Sequence, residues 1–471
     1  MRDALYDYPF AFVFLFLLFL SLSIFVSQLF FVCALLIAIL SFLDKRVLIL
    51  ILVFSLSAFF FFRFFNQKQC AFHSKKVVGR VIDVRAGSRL SFLVKTDKGK
   101  LYLFAPARYD NIDIGDKLLF HVKVKPLESL KNNSFKRYLF SIGVCGIGFV
   151  RYVRKIDKKD IVSYLQRLRK RIEEEFYYFL PSKVEYFLDS AFLGDSRYKS
   201  KIKDDFIDTQ TAHILAVSGV HMGFVFGMFY FLFYELVSLC GFIYRRFNLK
   251  VVASILALIP TFAYFLISGM HIPAIRSFTM MLLFIVSVIF SLRRNSINAL
   301  FFVGSIFLMV NLRSIFNPSF VMSFLMTLFA IVIYINLDGL KPQVRWIAFV
   351  VLLSIFAMPL SAYYFGKLSI FSFAYNASVV PIFGFVVVPV AFLLLAFSIL
   401  PYGGLKVLLF KIGSFAIGKF LVFVSLLSKA SIVLRIHLDF LMVFVIYAVL
   451  ISLFILLNRL LSHLNSQSQI R

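Results

Sequence analysis

Acidic residues are scarce in this chain. Asp and Glu number 23 against 51 Lys and Arg, a net charge of +28. Such a balance does not suit a basic partner. It points to an anionic one: nucleic acid, lipid headgroups or cell-surface polysaccharide. Cysteine is scarce too. Cys33, Cys70, Cys145 and Cys240 are the only four, and none lies in a CxxC pair, which speaks against a zinc or dithiol redox motif. There is no Walker A motif, no HExxH and no HxHxDH cluster. "RIHLDF" at 435–440 holds one His and one Asp and forms no metallohydrolase site. No cofactor, no metal and no catalytic residues are expected.

What the chain has instead is apolar length. It is 61% hydrophobic with 63 Phe, far above the apolar share of a soluble domain. Runs of span length recur from residue 10 to residue 458. The fold class is therefore a polytopic α-helical membrane protein. The first run is too long for a signal peptide, and no clear small-residue cleavage site follows it.

Four segments follow. Residues 1–65 hold three apolar runs, near 10–26, 29–43 and 47–62, and read as N-terminal transmembrane helices. Residues 66–157 are polar, basic and β-rich. Residues 158–210 read as an amphipathic helical connector, and 211–471 return to spans. Within 66–180 there are 25 Lys and Arg against 11 Asp and Glu, so the charge is concentrated there. "KVVGRVIDVR", "RLSFLVK", "KLYLFAP" and "DKLLFHVKVKP" are short strand-like runs, two of them separated by the turn signal "TDKG". In the last, Leu118, Phe120, Val122 and Val124 alternate with Lys117, His121, Lys123 and Lys125. That is a strand with one buried and one basic face. Such strands suit a small OB-like barrel. The stretch "LQRLRKRIEEEFYYFL" reads as a solvated or membrane-surface helix.

Short-loop charge sets the topology. "YRRFNLK" (244–250), "SLRRNS" (291–296) and "GLKPQVR" (339–345) are expected in the cytoplasm. The loops at 268–276, 311–319 and 361–369 then face out, and so does the β-rich segment, since long folded segments translocate largely regardless of charge.

Polar residues inside apolar runs mark the candidate site. "TAHILAVSGVHMGF" (211–224) puts His213, Ser218, Gly219 and His221 at the start of a span. Its glycines let a helix break, which is tolerated at membrane depth where protein or a water-filled cavity surrounds the break. One reading is a cavity lining open to the outer side; the other is small-residue helix packing with the histidines bonded to neighbouring spans. "GMHIPAIRSF" offers His271 and Arg276, the arginine either contacting an anion or snorkelling to the interface. Asn376, Pro381 and Pro389 interrupt the apolar run 363–389, as a discontinuous helix or as two spans with a kink. Asp195, Asp204, Asp205 and Asp208 precede the first stretch, with Lys and Arg nearby as candidate local partners, and nothing favours a catalytic carboxylate pair among them.

These residues together carry a resemblance. "FLGDSRYKSKIKDDFIDTQTAHILAVSGVHMGF" resembles the signature of the ComEC competence DNA-channel family, whose members read close to "GTAHLLAISGLHVG". "HIPAIRSF" resembles that family's "VPAIRA" and "FNPSFVMSFLMTL" its "DPSFQLSFLAT". "YNASVVPIFGFVVVP" is similar to a later Asn-and-proline segment, and "NNSFKRYLFSIGV" to the close of its OB-like domain. The order is the family's, over about 130 to 390. Gln210 departs from a usual Gly, and Ser277 from a usual Ala. Many members add a metallo-β-lactamase-like domain. Here "NRLLSHLNSQSQIR" follows the last apolar run, so the likeness is to a short member and a separate nuclease is expected.

The resemblance implies an inner-membrane, multi-pass channel component that imports single-stranded DNA during natural transformation. Its implied partners are single-stranded DNA, membrane lipids, a periplasmic DNA receptor, that nuclease, and a cytoplasmic DNA translocase or single-strand-binding protein. His213, Ser218, Gly219, His221, His271, Arg276 and Asn376 would line the DNA path. Lys95, Lys98, Lys100, Phe92 and Tyr102 would bind DNA on the outer domain, and Cys70 with Cys145 is the candidate disulfide bracketing it. The competing reading is a transporter of a small solute, lipid or envelope polymer.

Overall fold

The computed structural model describes residues 9–25, 37, 76–86, 90–97, 99–106, 112, 116–130, 133–156, 161–194, 201–240, 248–269, 272–289, 296–338, 340–436, 438–439 and 441–454. The expected spans near 47–62, most of that near 29–43, and the residues Lys98, Cys70 and His271 lie outside them. The chain divides into two compact units. One comprises residues 1–199, 216–321 and 395–402; the other comprises 200–215, 322–394 and 403–471.

The first unit contains a closed five-stranded barrel: β1 (Lys76–Ala86), β2 (Leu90–Thr96), β3 (Gly99–Ala105), β4 (Lys117–Pro126) and β5 (Val144–Lys155). The order around it is β1-β2-β3-β5-β4, closed by β1 against β4, with β3 and β5 parallel. The alternation read from β4 holds: Leu118, Phe120 and Val122 are buried in the barrel. Phe92 packs there too, its ring 6.4 Å from that of Phe120. Each such ring contributes about 1.5–3 kcal/mol by leaving water. Gly148 lets β5 approach β4, because a Cβ there would stand 2.4 Å from Val122 Cγ2.

A second, smaller core forms on the outside of the barrel. Helix Asn133–Ser141 lies over Leu93, Tyr102 and Ile147, with Leu139 fully buried between them. The same helix ties the barrel to the membrane bundle. Asn311 Nδ2 donates to the Ser141 carbonyl at 3.1 Å, and the Arg313 guanidinium sits 4.3 Å over the Phe140 ring. The loop after helix Ser296–Val310 and the barrel are thus in direct contact.

The amphipathic stretch forms helix Ile161–Phe179, with Lys170, Arg171, Glu174, Tyr177 and Tyr178 exposed on its outer side. Arg169, Ile172 and Phe176 are buried on one face. Arg169 Nε donates to Glu173 at 2.9 Å, and Nη1 lies 3.5 Å from the Ile267 carbonyl at the end of helix Leu249–Ile267. A cation at a helix C-terminus is favourably placed. The rest of the membrane part of this unit comprises helices Pro9–Phe25, Gly219–Ser238, Ile272–Ile289 and Ser296–Val310. Phe10 and Phe14 of the first pack on Phe302 and Phe301 of the last.

The second unit begins with helix Lys201–Asp208 and contains helices Pro342–Phe365, Gly404–Ala430 and Leu441–Phe454. A two-stranded sheet pairs β6 (Lys367–Ser369) with β7 (Val433–Arg435). Segment 372–398 is one apolar helix of 27 residues, neither broken nor split into two spans. It absorbs Pro381 by widening to a π-helical turn at Phe383–Val387. Among the described residues, six helices are long and apolar enough to cross a membrane.

Candidate functional site

Helix Gly219–Ser238 does not extend back into the preceding motif. A 3-10 turn, Ala212–Leu215, ends four residues before it, and Ser218 is extended at φ −119°, ψ 178°. The run therefore breaks between His213 and His221. Ser218 N–H donates to His221 Nδ1 at 3.0 Å, and Ser218 Oγ lies 3.1 Å from the same nitrogen. The pair forms a capping box with histidine in the position usually held by Glu or Gln. Because a backbone N–H can only donate, Nδ1 is an acceptor and Nε2 holds the ring proton.

His221 is fully buried. Its ring meets Phe192 edge-on, at 4.7 Å and 88°. Tyr264 also holds Phe192, its hydroxyl donating to the Phe192 carbonyl at 3.0 Å. One step along, Gly219 faces the helix that carries the second motif. A Cβ on Gly219 would stand 3.0 Å from Ser277 Oγ. Arg276 immediately precedes that contact. It is half-buried, with Nη1 3.9 Å from Met280 Sδ. Two motifs more than fifty residues apart thus converge at Ser218, Gly219, His221, Arg276 and Ser277.

His213 and Asn376 belong to the other unit. His213 is exposed on its 3-10 turn, and Asn376 Nδ2 is bonded to the Ser372 carbonyl of its own helix at 2.9 Å. There the departure from the usual Gly is informative. Gln210 adopts φ 55°, the left-handed conformation that Gly takes freely, so the turn is kept without the glycine. Asp208 and Lys367 form an ion pair at 2.5 Å, and Gln210 Nε2 lies 3.5 Å from the Lys367 carbonyl.

On the barrel, the expected stacking residues are corrected. Phe92 is wholly inside, and Tyr102 is covered by helix Asn133–Ser141 with its hydroxyl 2.7 Å from Ser91 Oγ. Neither ring is open to a base. Lys100 donates to the Ile142 carbonyl at 2.9 Å, and burial, then the nearby Lys95 charge, hold its ammonium below the usual lysine range. Lys95 is exposed. Cys145 is disulfide-bonded, and its partner lies outside the described residues. Its sulfur also stands 3.2 Å from the Lys100 carbonyl oxygen; with no thiol proton this is a contact, not a hydrogen bond.

Sequence patterns do not single out Phe192 and Tyr264. The available signal is the spacing Ser-x-x-His, a capping box in which His221 replaces the acidic or amide residue.

The model of the competence protein family matches residues 192–460, more than half of the chain. The chain belongs to the competence protein family. No curated protein and no solved structure matches it. The matched region opens at Phe192, the residue packed on His221. Competence-family membership and six apolar helices of span length make this a multi-pass inner-membrane protein of the competence channel type.

Proposed function

We propose that this protein is the inner-membrane channel component that passes single-stranded DNA into the cytoplasm during natural transformation. The observation that carries the reading is the capped break at Ser218–His221, inside the family-matched region and packed against the Arg276-bearing helix. A polar break at the start of a span suits a wet path, and an arginine beside it suits phosphate.

The barrel supports the reading from one side of the membrane. It lies in the segment where the positive charge is concentrated, and it is clamped to the 311–317 loop that charge bias places outside. The Cys145 disulfide fits an oxidising, extracytoplasmic compartment; Cys70 is its proposed partner, which a cross-linked peptide found by mass spectrometry without reductant would establish. A periplasmic receptor would deliver DNA, a separate nuclease would degrade the other strand, and a cytoplasmic translocase or single-strand-binding protein would receive the product.

The test follows labelled duplex DNA in cells lacking the protein and in cells carrying His221→Ala. DNA held outside the inner membrane in both, with the variant present at normal level, is the expected result. Normal cytosolic import in the deletion strain would overturn the reading and favour transport of another cargo.

A further inference from the structure

Helix Asn133–Ser141 covers the outer face of β2 and β3, whereas β4 and β5 carry exposed residues on their outer face. Its residues follow from the register. Outside the barrel, Leu119 stands beside Arg154, His121 beside Tyr152, and Lys123 beside Phe149. The register shifts between His121 and Val122, so β5 carries one extra residue there, Arg151. A bulge of this kind re-aims side chains. Val150 stays in the barrel core, and both Arg151 and Tyr152 turn outward and are exposed.

The surface that results alternates rings and cations. Phe149 is 46% exposed and Tyr152 55%, unusual for large rings on a folded sheet. Both are held in place. Phe149 stacks on Phe104 at 5.4 Å and 24°, and Tyr152 meets His121 edge-on at 5.8 Å and 79°. Lys123, Arg151 and Arg154 are exposed among them, and neither strand contains an Asp or Glu. Flat rings fixed at a surface offer stacking to any base, and interleaved cations offer contacts to the connecting phosphates. A duplex hides its base faces and would use only the cations. A lipid headgroup or a sulfated polysaccharide has no base to stack.

We infer that the protein holds single-stranded nucleic acid on this β4–β5 face, with Phe149 and Tyr152 as stacking platforms and Lys123, Arg151 and Arg154 as phosphate contacts. The inference rests on the proposed DNA-importing role and adds the site, which is distinct from the β2–β3 face that carries Lys95, Lys100 and Tyr102.

The experiment uses the full chain in phosphatidylcholine nanodiscs. Binding of a fluorescent 20-mer of thymidylate, an abasic 20-mer and a 20-bp duplex is followed by anisotropy over a salt series. Phe149→Ala with Tyr152→Ala is expected to weaken thymidylate binding by about 10- to 100-fold, from the usual worth of base stacking. Abasic and duplex binding should not change. Arg154→Ala should weaken all three and flatten the single-strand salt slope by roughly 0.7, the share of one phosphate. Tyr152→Phe should retain binding. Both rings are on the surface, and an unchanged duplex affinity confirms that the barrel is intact.

Thymidylate binding that survives removal of both rings would overturn the face while leaving DNA import standing. Wild-type protein that does not prefer thymidylate to the abasic strand, or that yields it equally to dextran sulfate or phosphatidylglycerol, would overturn the nucleic-acid reading of the barrel itself.

Discussion

The backbone N–H of Ser218 is bonded to the imidazole of His221, a contact that caps the first turn of a membrane helix. At the third helical position Gln reaches the same N–H. His221→Gln is therefore expected to unfold thermally close to the parent protein in detergent. His221→Ala should lose about 1 kcal/mol, the usual worth of a cap. DNA import should fail with Ala and recover in part with Gln. Equal stability of all three would show that the cap is idle.

Gly219 and Ser277 set how closely their helices cross. Gly219→Ala places a methyl 3.0 Å from the serine hydroxyl but 3.7 Å from its Cβ. The single substitution should cost about 1 kcal/mol, and Ser277→Ala in the same chain should restore most of it, a coupling that a double-mutant cycle measures. Gly219→Leu has no such remedy and should lower the amount of folded protein, overpacking costing about 1–3 kcal/mol.

Gln210 holds a left-handed backbone with a side chain that opposes it. Gln210→Gly is expected to raise stability by up to about 1 kcal/mol, less what the contact to Lys367 contributes. Gln210→Val should lower it, since a branched Cβ fits that conformation worst. Thermal unfolding of the two variants against the parent gives the sign.

Lys100 sheds its proton more readily in the folded barrel than in the unfolded chain, because burial and then Lys95 lower its pKa. The unfolded state therefore binds more protons between the folded value and the free lysine value near 10.4. Across that window stability rises with pH, and below it the cost of the buried charge is present in full. Lys100→Met should flatten this alkaline rise. An unchanged pH profile would show that the ammonium is solvated after all.

Much of the architecture is legible in residue patterns, and where they mislead the cause is shared. Alternation along 117–125 reports correctly which side chains of β4 enter the barrel. It cannot report that a later helix, Asn133–Ser141, closes over the outside of β2 and β3, and so Tyr102 reads as available when it is not. Phe92 misleads differently: a phenylalanine in a basic segment reads as a surface ring, although its own strand puts it inside. β5 is hard to recognise as a strand because "VCGIGFVRYVRK" opens with glycines and loses its alternation at Arg151, where the bulge lies. Pro381 and Pro389 suggest an interruption; a π-helical turn accommodates the freed carbonyls within one span. The motif break at Ser218 is legible because Gly and polar residues inside an apolar run have few uses. Its supporting residues are not, because Phe192 and Tyr264 look like any other aromatic in a chain with 63 Phe.

The barrel is not hung from a slack tether. Asn311 and Arg313 grip its helix at Ser141 and Phe140, and Phe316 packs against the same ring at 6.3 Å. That turn runs straight into Asn317, whose side chain accepts the Ser319 N–H at 2.9 Å and starts helix Pro318–Asn336. Mechanically, the mount is a short, stiff bracket. A pull on the barrel would load the first turn of that span directly.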